Sequence, residues 1–198
     1  MPERIAFVFP GQGSQAVGMG AELAATSEAA RAVFAAADEA LGFSLSALCF
    51  TGPEDDLRAT SNAQPAIVTV SLAALAALRV ALGRTGTTAT ELLAGPPWPA
   101  FLAGHSVGEY TALIAAGALS LADGLRLVRE RGRLMAHEGT LCAGGMAAVL
   151  GMEAATLAEI CTQAEAAVAG DPHLPPHPGA GRVVVANDNA PGQVVLSG

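Results

Sequence analysis

The run Gly104-His105-Ser106-Val107-Gly108 constrains this chain more than any other stretch. An apolar approach, Ala100-Phe101-Leu102-Ala103, leads into it, and a helix-forming stretch, Tyr110-Thr111-Ala112-Leu113-Ile114-Ala115-Ala116, leads out. A strand that turns into a helix over so short a distance needs a strained apex, flanked by glycines that let neighbouring backbone come close. A serine at that apex holds its hydroxyl clear of the main chain, and the helix behind it points free N–H groups at the same spot. This is the pattern of a nucleophile elbow centred on Ser106, and it favours acyl transfer through a serine ester. The competing reading is a serine that only caps the helix.

A core of adequate size is available to such a turn. The chain has 198 residues, 52% hydrophobic and only 14% charged, which suits a buried parallel sheet covered by Ala-rich helices and excludes wholesale disorder. Aromatic residues make up 4%, so close packing on small side chains must supply much of that core. The net charge of −8 argues against a nucleic-acid surface, and all ten cationic residues are Arg, which excludes lysine-based phosphate loops. Cys49, Cys142 and Cys161 are widely spaced and show no metal-ligand pattern, so free cytosolic thiols and no metal are expected. The apolar run at Ile5–Pro10 is too short for a signal segment, and Ala66–Leu82 is interrupted by Thr69, Ser71 and Arg79. It reads as a buried helix of a soluble cytoplasmic protein, with no membrane partner.

Ile5-Ala6-Phe7-Val8-Phe9 reads as a buried strand stopped by Pro10-Gly11. Helices are expected from Ser27 to Gly42, after Pro53, from the first turn at Pro65 through Leu82, and from Ser120 to about His137. Residues 84–99 read as a surface loop. Beyond Gly139 come a strand at Gly145–Leu150, a helix at Ala154–Ala169, a loop at Asp171–Gly181, and strands at Arg182–Ala186 and Gln193–Leu196 joined by an Asn-Asp-Asn-Ala-Pro-Gly turn. That β-α-β-β order is half of a split β-α-β arrangement.

Two further features lie outside the serine turn. Gly11-Gln12-Gly13-Ser14-Gln15 follows the first strand, where open parallel sheets collect ligands; a plain turn and a dinucleotide loop are the alternatives, the latter with poor spacing. On the Ser120–His137 helix, at about 100° per residue, Arg126, Arg129 and Arg133 share a polar face, while Arg131 falls among Leu127, Val128, Leu134 and Met135. A guanidinium there needs an anion, either an internal carboxylate such as Glu109 or one on a substrate.

Together, Gly11-Gln12-Gly13-Ser14-Gln15, Gly104-His105-Ser106-Val107-Gly108-Glu109-Tyr110 and Arg131 resemble the malonyl-CoA:acyl carrier protein transacylases and the related acyltransferase domains of fatty-acid and polyketide synthases. Gln64 in Asn62-Ala63-Gln64-Pro65-Ala66 and the Asn187-x-Asn189-x-Pro191-Gly192-Gln193 segment resemble family segments too. The resemblance implies an α/β fold, with a hydrolase-like parallel-sheet core over residues 1–137 and a ferredoxin-like subdomain over 138–198, incomplete at its C-terminus. It implies Ser106 as the nucleophile, the N–H groups of Gln12 and Val107 as the oxyanion hole, Arg131 as the clamp on the malonyl carboxylate and Gln64 as its support. Malonyl-CoA would be the substrate, acyl carrier protein the acceptor, and no cofactor is implied. The family's general-base histidine falls in a segment outside residues 1–198. His105 adjoins the nucleophile without being the base, His137 is expected to end a helix, and His173 and His177 to face solvent. The chain is therefore expected to correspond to the first two thirds of an acyltransferase, with an unpaired strand edge at Gln193–Leu196. A serine esterase, or a fragment that only binds acyl-CoA or carrier protein, are the alternatives.

Overall fold

A computed structural model describes residues 5–94, 99–141, 144–174 and 178–198. It divides into two compact units, Met1–Ala136 and His137–Gly198.

In the first unit, β1 (Ala6–Phe9) and β2 (Phe101–Gly104) pair in parallel, with Ala6 opposite Phe101 and Phe9 opposite Gly104. The apolar run of β1 is not buried throughout: Phe9 is enclosed, while Val8 is 74% exposed. Strand side chains alternate between faces, which puts Phe9 on the enclosed side and Val8 on the open one.

The helices of this unit are α1 (Ala21–Thr26), α2 (Glu28–Leu41), α3 (Leu45–Thr51), α4 (Glu54–Arg58), α5 (Thr60–Ala81), α6 (Ala89–Leu93) and α7 (Gly108–Ala115), followed by α8 (Leu121–Leu141). Ser27 caps α2 by accepting the Ala30 N–H, and Gly42 ends it in the left-handed region at φ 72°, as the sequence led us to expect. The central helix is α5. Its Ala63, Ala66, Val68, Leu72, Ala73 and Ala76 are fully buried, and alanines of α2 (Ala30, Ala37) are equally enclosed, so small side chains do supply much of the core. Phe34 and Phe50 add an edge-to-face contact at 4.8 Å. α5 has the length and composition to cross a membrane, yet it is mostly buried inside the protein.

Three boundaries differ from expectation. Pro65 lies inside α5 rather than in its first turn, because the helix starts earlier, at Thr60. The stretch 84–99 holds the short helix α6, started by a capping box in which Thr88 and Glu91 each satisfy the other's backbone N–H. α8 runs on through Gly139, which keeps a right-handed φ and so weakens the helix without ending it. His137 is thus a helix-interior residue whose carbonyl accepts the Thr140 hydroxyl at 2.7 Å. Residues 95–98 of the expected loop lie outside the described residues, as do Cys142 and His177.

The second unit contains β3 (Met146–Leu150), α9 (Ala154–Val168), β4 (Val184–Ala190) and β5 (Gln193–Ser197). The sheet order is β3-β5-β4, antiparallel at both junctions. β5 is therefore the central strand, not an unpaired edge: the chain hairpins from β4 into the slot beside β3. The polar stretch Asn187-Asp188-Asn189 is not a turn but part of β4, which carries it by register shifts after Val185 and Asp188. Only Pro191-Gly192 turns, with Gly192 at φ 73°, a position that favours glycine after proline.

Candidate active site

The site is built wholly within the first unit. Its scaffold is the junction of β2 and α7. A Cβ on Gly104 would lie 2.0 Å from the Gly108 carbonyl, and one on Gly108 would lie 2.3 Å from the Phe9 carbonyl oxygen. Both glycines are thus demanded by close backbone approach. Between them Ser106 sits at φ 54°, alone among the described non-glycine residues in having a positive φ. Such strain costs roughly 1–3 kcal/mol and persists only where packing enforces it. Here the fully buried Val107 and the His105 N–H, which donates to the Phe9 carbonyl at 3.2 Å, hold the turn from both sides.

The free N–H groups expected at the start of α7 are fewer than the sequence suggested. Gly108, Glu109 and Tyr110 donate back to the carbonyls of His105, Ser106 and Val107 in a tight first turn. The N–H groups of Val107 and Gln12 have no protein acceptor among the described residues. Gln12 stands in the exposed loop after β1, where Gln15 steadies the turn by accepting the Gly13 N–H at 2.9 Å.

Arg131 of α8 reaches this turn from the other side. Its Nη2 donates to Ser106 Oγ at 3.0 Å, and its Nη1 donates to Gln64 Oε1. The guanidinium also lies 5.8 Å from the centre of the Tyr110 ring. Among the described residues it makes no ion pair with Glu109 or with any other carboxylate. Gln64 is fully buried, and a buried amide must be hydrogen-bonded. Its oxygen takes Arg131, and its nitrogen faces Met135 Sδ at 3.3 Å and Gln12 Oε1 at 3.4 Å. Gln12 Nε2 in turn donates to Thr60 Oγ1 at 3.4 Å. Ser106, Arg131, Gln64 and Gln12 are thereby joined in one chain of contacts.

Sequence reasoning missed two members of that chain, Thr60 and Met135. The signal was present: Thr60 precedes Gln64, and Met135 follows Arg131, each by one helical turn on the same face. The helix wheel of α8 also needs correction. Its buried stripe is Gly124, Leu125, Val128 and Gly132, while Leu127, Leu134 and Met135 are about half exposed. Two of the buried residues are glycines, which a wheel built on large apolar residues overlooks. Arg131 consequently lies half-buried at the edge of the stripe, and Arg129, expected with Arg126 and Arg133 on a solvent face, packs over Phe43 at 4.1 Å.

No histidine hydrogen-bonds Ser106 among the described residues. Among the described residues of the first unit, the thiol is no rival nucleophile at this place. Cys49 is buried in the core, and desolvation, reinforced by Asp38, pushes its thiol up to about 12. Cys161 belongs to the second unit.

Comparison with known proteins identifies the family. The sequence profile of the acyl transferase domain matches residues 6–198. The chain belongs to the acyl transferase domain family. It is 43% identical over 195 residues to the malonyl CoA-acyl carrier protein transacylase of Bacillus subtilis, covering 98% of this chain and 53% of that protein. Its structure is similar to the acyl-carrier-protein S-malonyltransferase of Burkholderia pseudomallei, with a TM-score of 0.79 at 38% identity over 99% of this chain and 55% of the other. It is also similar to a type II polyketide-synthase malonyl-transacylase solved with its acyl-carrier protein, with a TM-score of 0.78 at 33% identity over 99% of this chain and 55% of that one. The chain spans about half the length of the curated relatives it matches.

Proposed function

We propose that this chain carries the seryl-ester machinery of a malonyl transfer from malonyl-CoA to the phosphopantetheine thiol of acyl carrier protein. The observation that carries the reading is Arg131: a half-buried guanidinium held by Gln64, 3.0 Å from Ser106 Oγ, and without a carboxylate partner among the described residues. A carboxylate on the acyl group supplies that missing partner.

In this reading the Gly104–Gly108 turn is a nucleophile elbow. Ser106 Oγ attacks the thioester carbonyl, its proton passes to a general base, and the oxyanion is held by the N–H groups of Val107 and Gln12. Collapse expels the coenzyme A thiol and leaves a malonyl ester on Ser106; the carrier thiol then attacks that ester and restores the serine. The family resemblance supports a histidine base from a segment outside residues 1–198, and no histidine hydrogen-bonds Ser106 among the described residues. The first unit corresponds to the first part of a hydrolase-like core, 1–137. The β-α-β-β order and antiparallel ladder of the second support a ferredoxin-like subdomain over 138–198. Malonyl-CoA and acyl carrier protein are its partners, without a cofactor, and the cytoplasm is its place. A plain serine esterase has no use for Arg131 and Gln64.

Intact-mass and peptide mapping after incubation with malonyl-CoA test the proposal. One malonyl group is expected on the Ser106 peptide of the chain completed by the segment that carries the base, and none on its Ser106→Ala form. A malonyl group on Cys49, Cys142 or Cys161 instead would overturn the serine chemistry.

A further inference from the structure

We infer that Gly132 is a positioning residue for Arg131: the backbone-to-backbone contact it permits between α8 and the start of α5 sets how far the guanidinium reaches toward Ser106. The inference rests on the reading of Arg131 as the anchor of the acyl carboxylate.

α8 carries Gly124, Gly132 and Gly139 in positions where glycine weakens a helix, and their surroundings differ. A Cβ on Gly139 would meet nothing within 4 Å. One on Gly124 would lie 2.4 Å from Ile114 Cδ1 and 2.6 Å from its Cγ1, atoms of a side chain rather than of the main chain. One on Gly132 would lie 2.6 Å from the Thr60 carbonyl oxygen and 2.8 Å from Ser61 Cα. Those are main-chain atoms in the first turn of α5, and they yield only if a helix moves.

The contact falls at the residue next to Arg131, against the turn of α5 that leads to Gln64. Gln64 takes one nitrogen of the guanidinium and Ser106 the other. Both acceptors are fixed, the first by complete burial and the second by its strained turn. The distance between α8 and α5 at Gly132 therefore determines whether one guanidinium meets both. A side chain at this position drives α8 outward and breaks that two-point hold, although it touches neither Ser106 nor the substrate.

Isothermal titration calorimetry with malonyl-CoA and with acetyl-CoA reads the preference for a carboxylated acyl group. Gly132→Ala is expected to weaken malonyl-CoA binding by about tenfold or more, the scale set by ångström-sized misplacement, while acetyl-CoA binding stays unchanged. Gly124→Ala alters packing in the same helix and is expected to lower the melting temperature while keeping the preference. Arg131→Ala is measured beside them. A preference that survives Arg131→Ala, or is missing from the unsubstituted chain, overturns the reading of Arg131. A preference lost in Arg131→Ala but kept in Gly132→Ala overturns the inference alone. If Gly132→Ala does not fold, it is remade together with Gly139→Ala, which adds helix propensity in open space. Failure to fold there as well makes Gly132 a packing requirement only and overturns its positioning role.

Discussion

Within residues 1–136 the buried hydrophobic side chains, Ala63 apart, join in one cluster that runs from Phe9 to Val128, with Val33, Ala66 and Leu72 wholly enclosed. Within residues 137–198 the buried hydrophobic side chains among the described residues are Leu157, Cys161 and Val194, while Met146 and Leu150 of β3 are 62% and 72% exposed. The first unit is held by side-chain packing around α5. The second is held chiefly by its β3-β5-β4 backbone ladder, with α9 laid along it. The difference bears on function because the whole Ser106 site rests in the first unit. Ser106 is kept strained by Val107, and Gln64 is buried, so the site draws its rigidity from the dense core.

The sharpest way to break this comparison is a pair of matched truncations. Leu72→Ala opens a cavity in the first unit and is expected to cost about 2–5 kcal/mol, whereas Leu150→Ala, on an exposed strand face, is expected to stay within about 0.5 kcal/mol. Denaturant unfolding of both variants gives the two values, and equal losses would erase the distinction between the units.

Cysteine reactivity sharpens it further, since each unit contains a buried thiol. Cys49 is expected to resist alkylation in the folded chain at neutral pH, because burial raises its thiol to about 12 and the dense core seldom opens. Cys161 is expected to label before Cys49, through local opening of the sparsely packed second unit. Peptide mapping after timed iodoacetamide treatment separates them, and earlier labelling of Cys49 contradicts the ordering. The same elevation predicts a pH dependence. Cys49 loses its proton near 9.0 when unfolded and near about 12 when folded, so the unfolded state binds fewer protons between those values. Stability from this group therefore falls as pH rises through that window, and melting scans from pH 8 upward, on the order of one unit apart, should show the decline begin above the unfolded value.

The smallest expected effect is at the edge of the first unit. Thr88→Ala removes the hydroxyl that caps α6 and is expected to cost about 1 kcal/mol in thermal unfolding, without moving the Ser106 site.

Local signals in the sequence were sufficient for part of the local structure. Gly104 and Gly108 around Ser106, the Ser27 and Gly42 caps of α2, and the apolar run of α5 each point to one backbone solution, because the relevant forces act within a turn or two of the residue concerned. Arg131 was legible as a cation in need of an acceptor for the same reason. Tertiary structure alone decided which acceptors it meets. Gln64 and Ser106 are distant along the chain, and the separation of α8 from α5 depends on the absence of a side chain at Gly132, which periodicity does not record. It also placed β5 in the middle of its sheet, since strand order follows from pairings between distant segments and the hydrogen-bonding capacity of a strand is the same on both edges. What the sequence determined was the chemistry carried by each segment; what the tertiary structure decided was the distance between them.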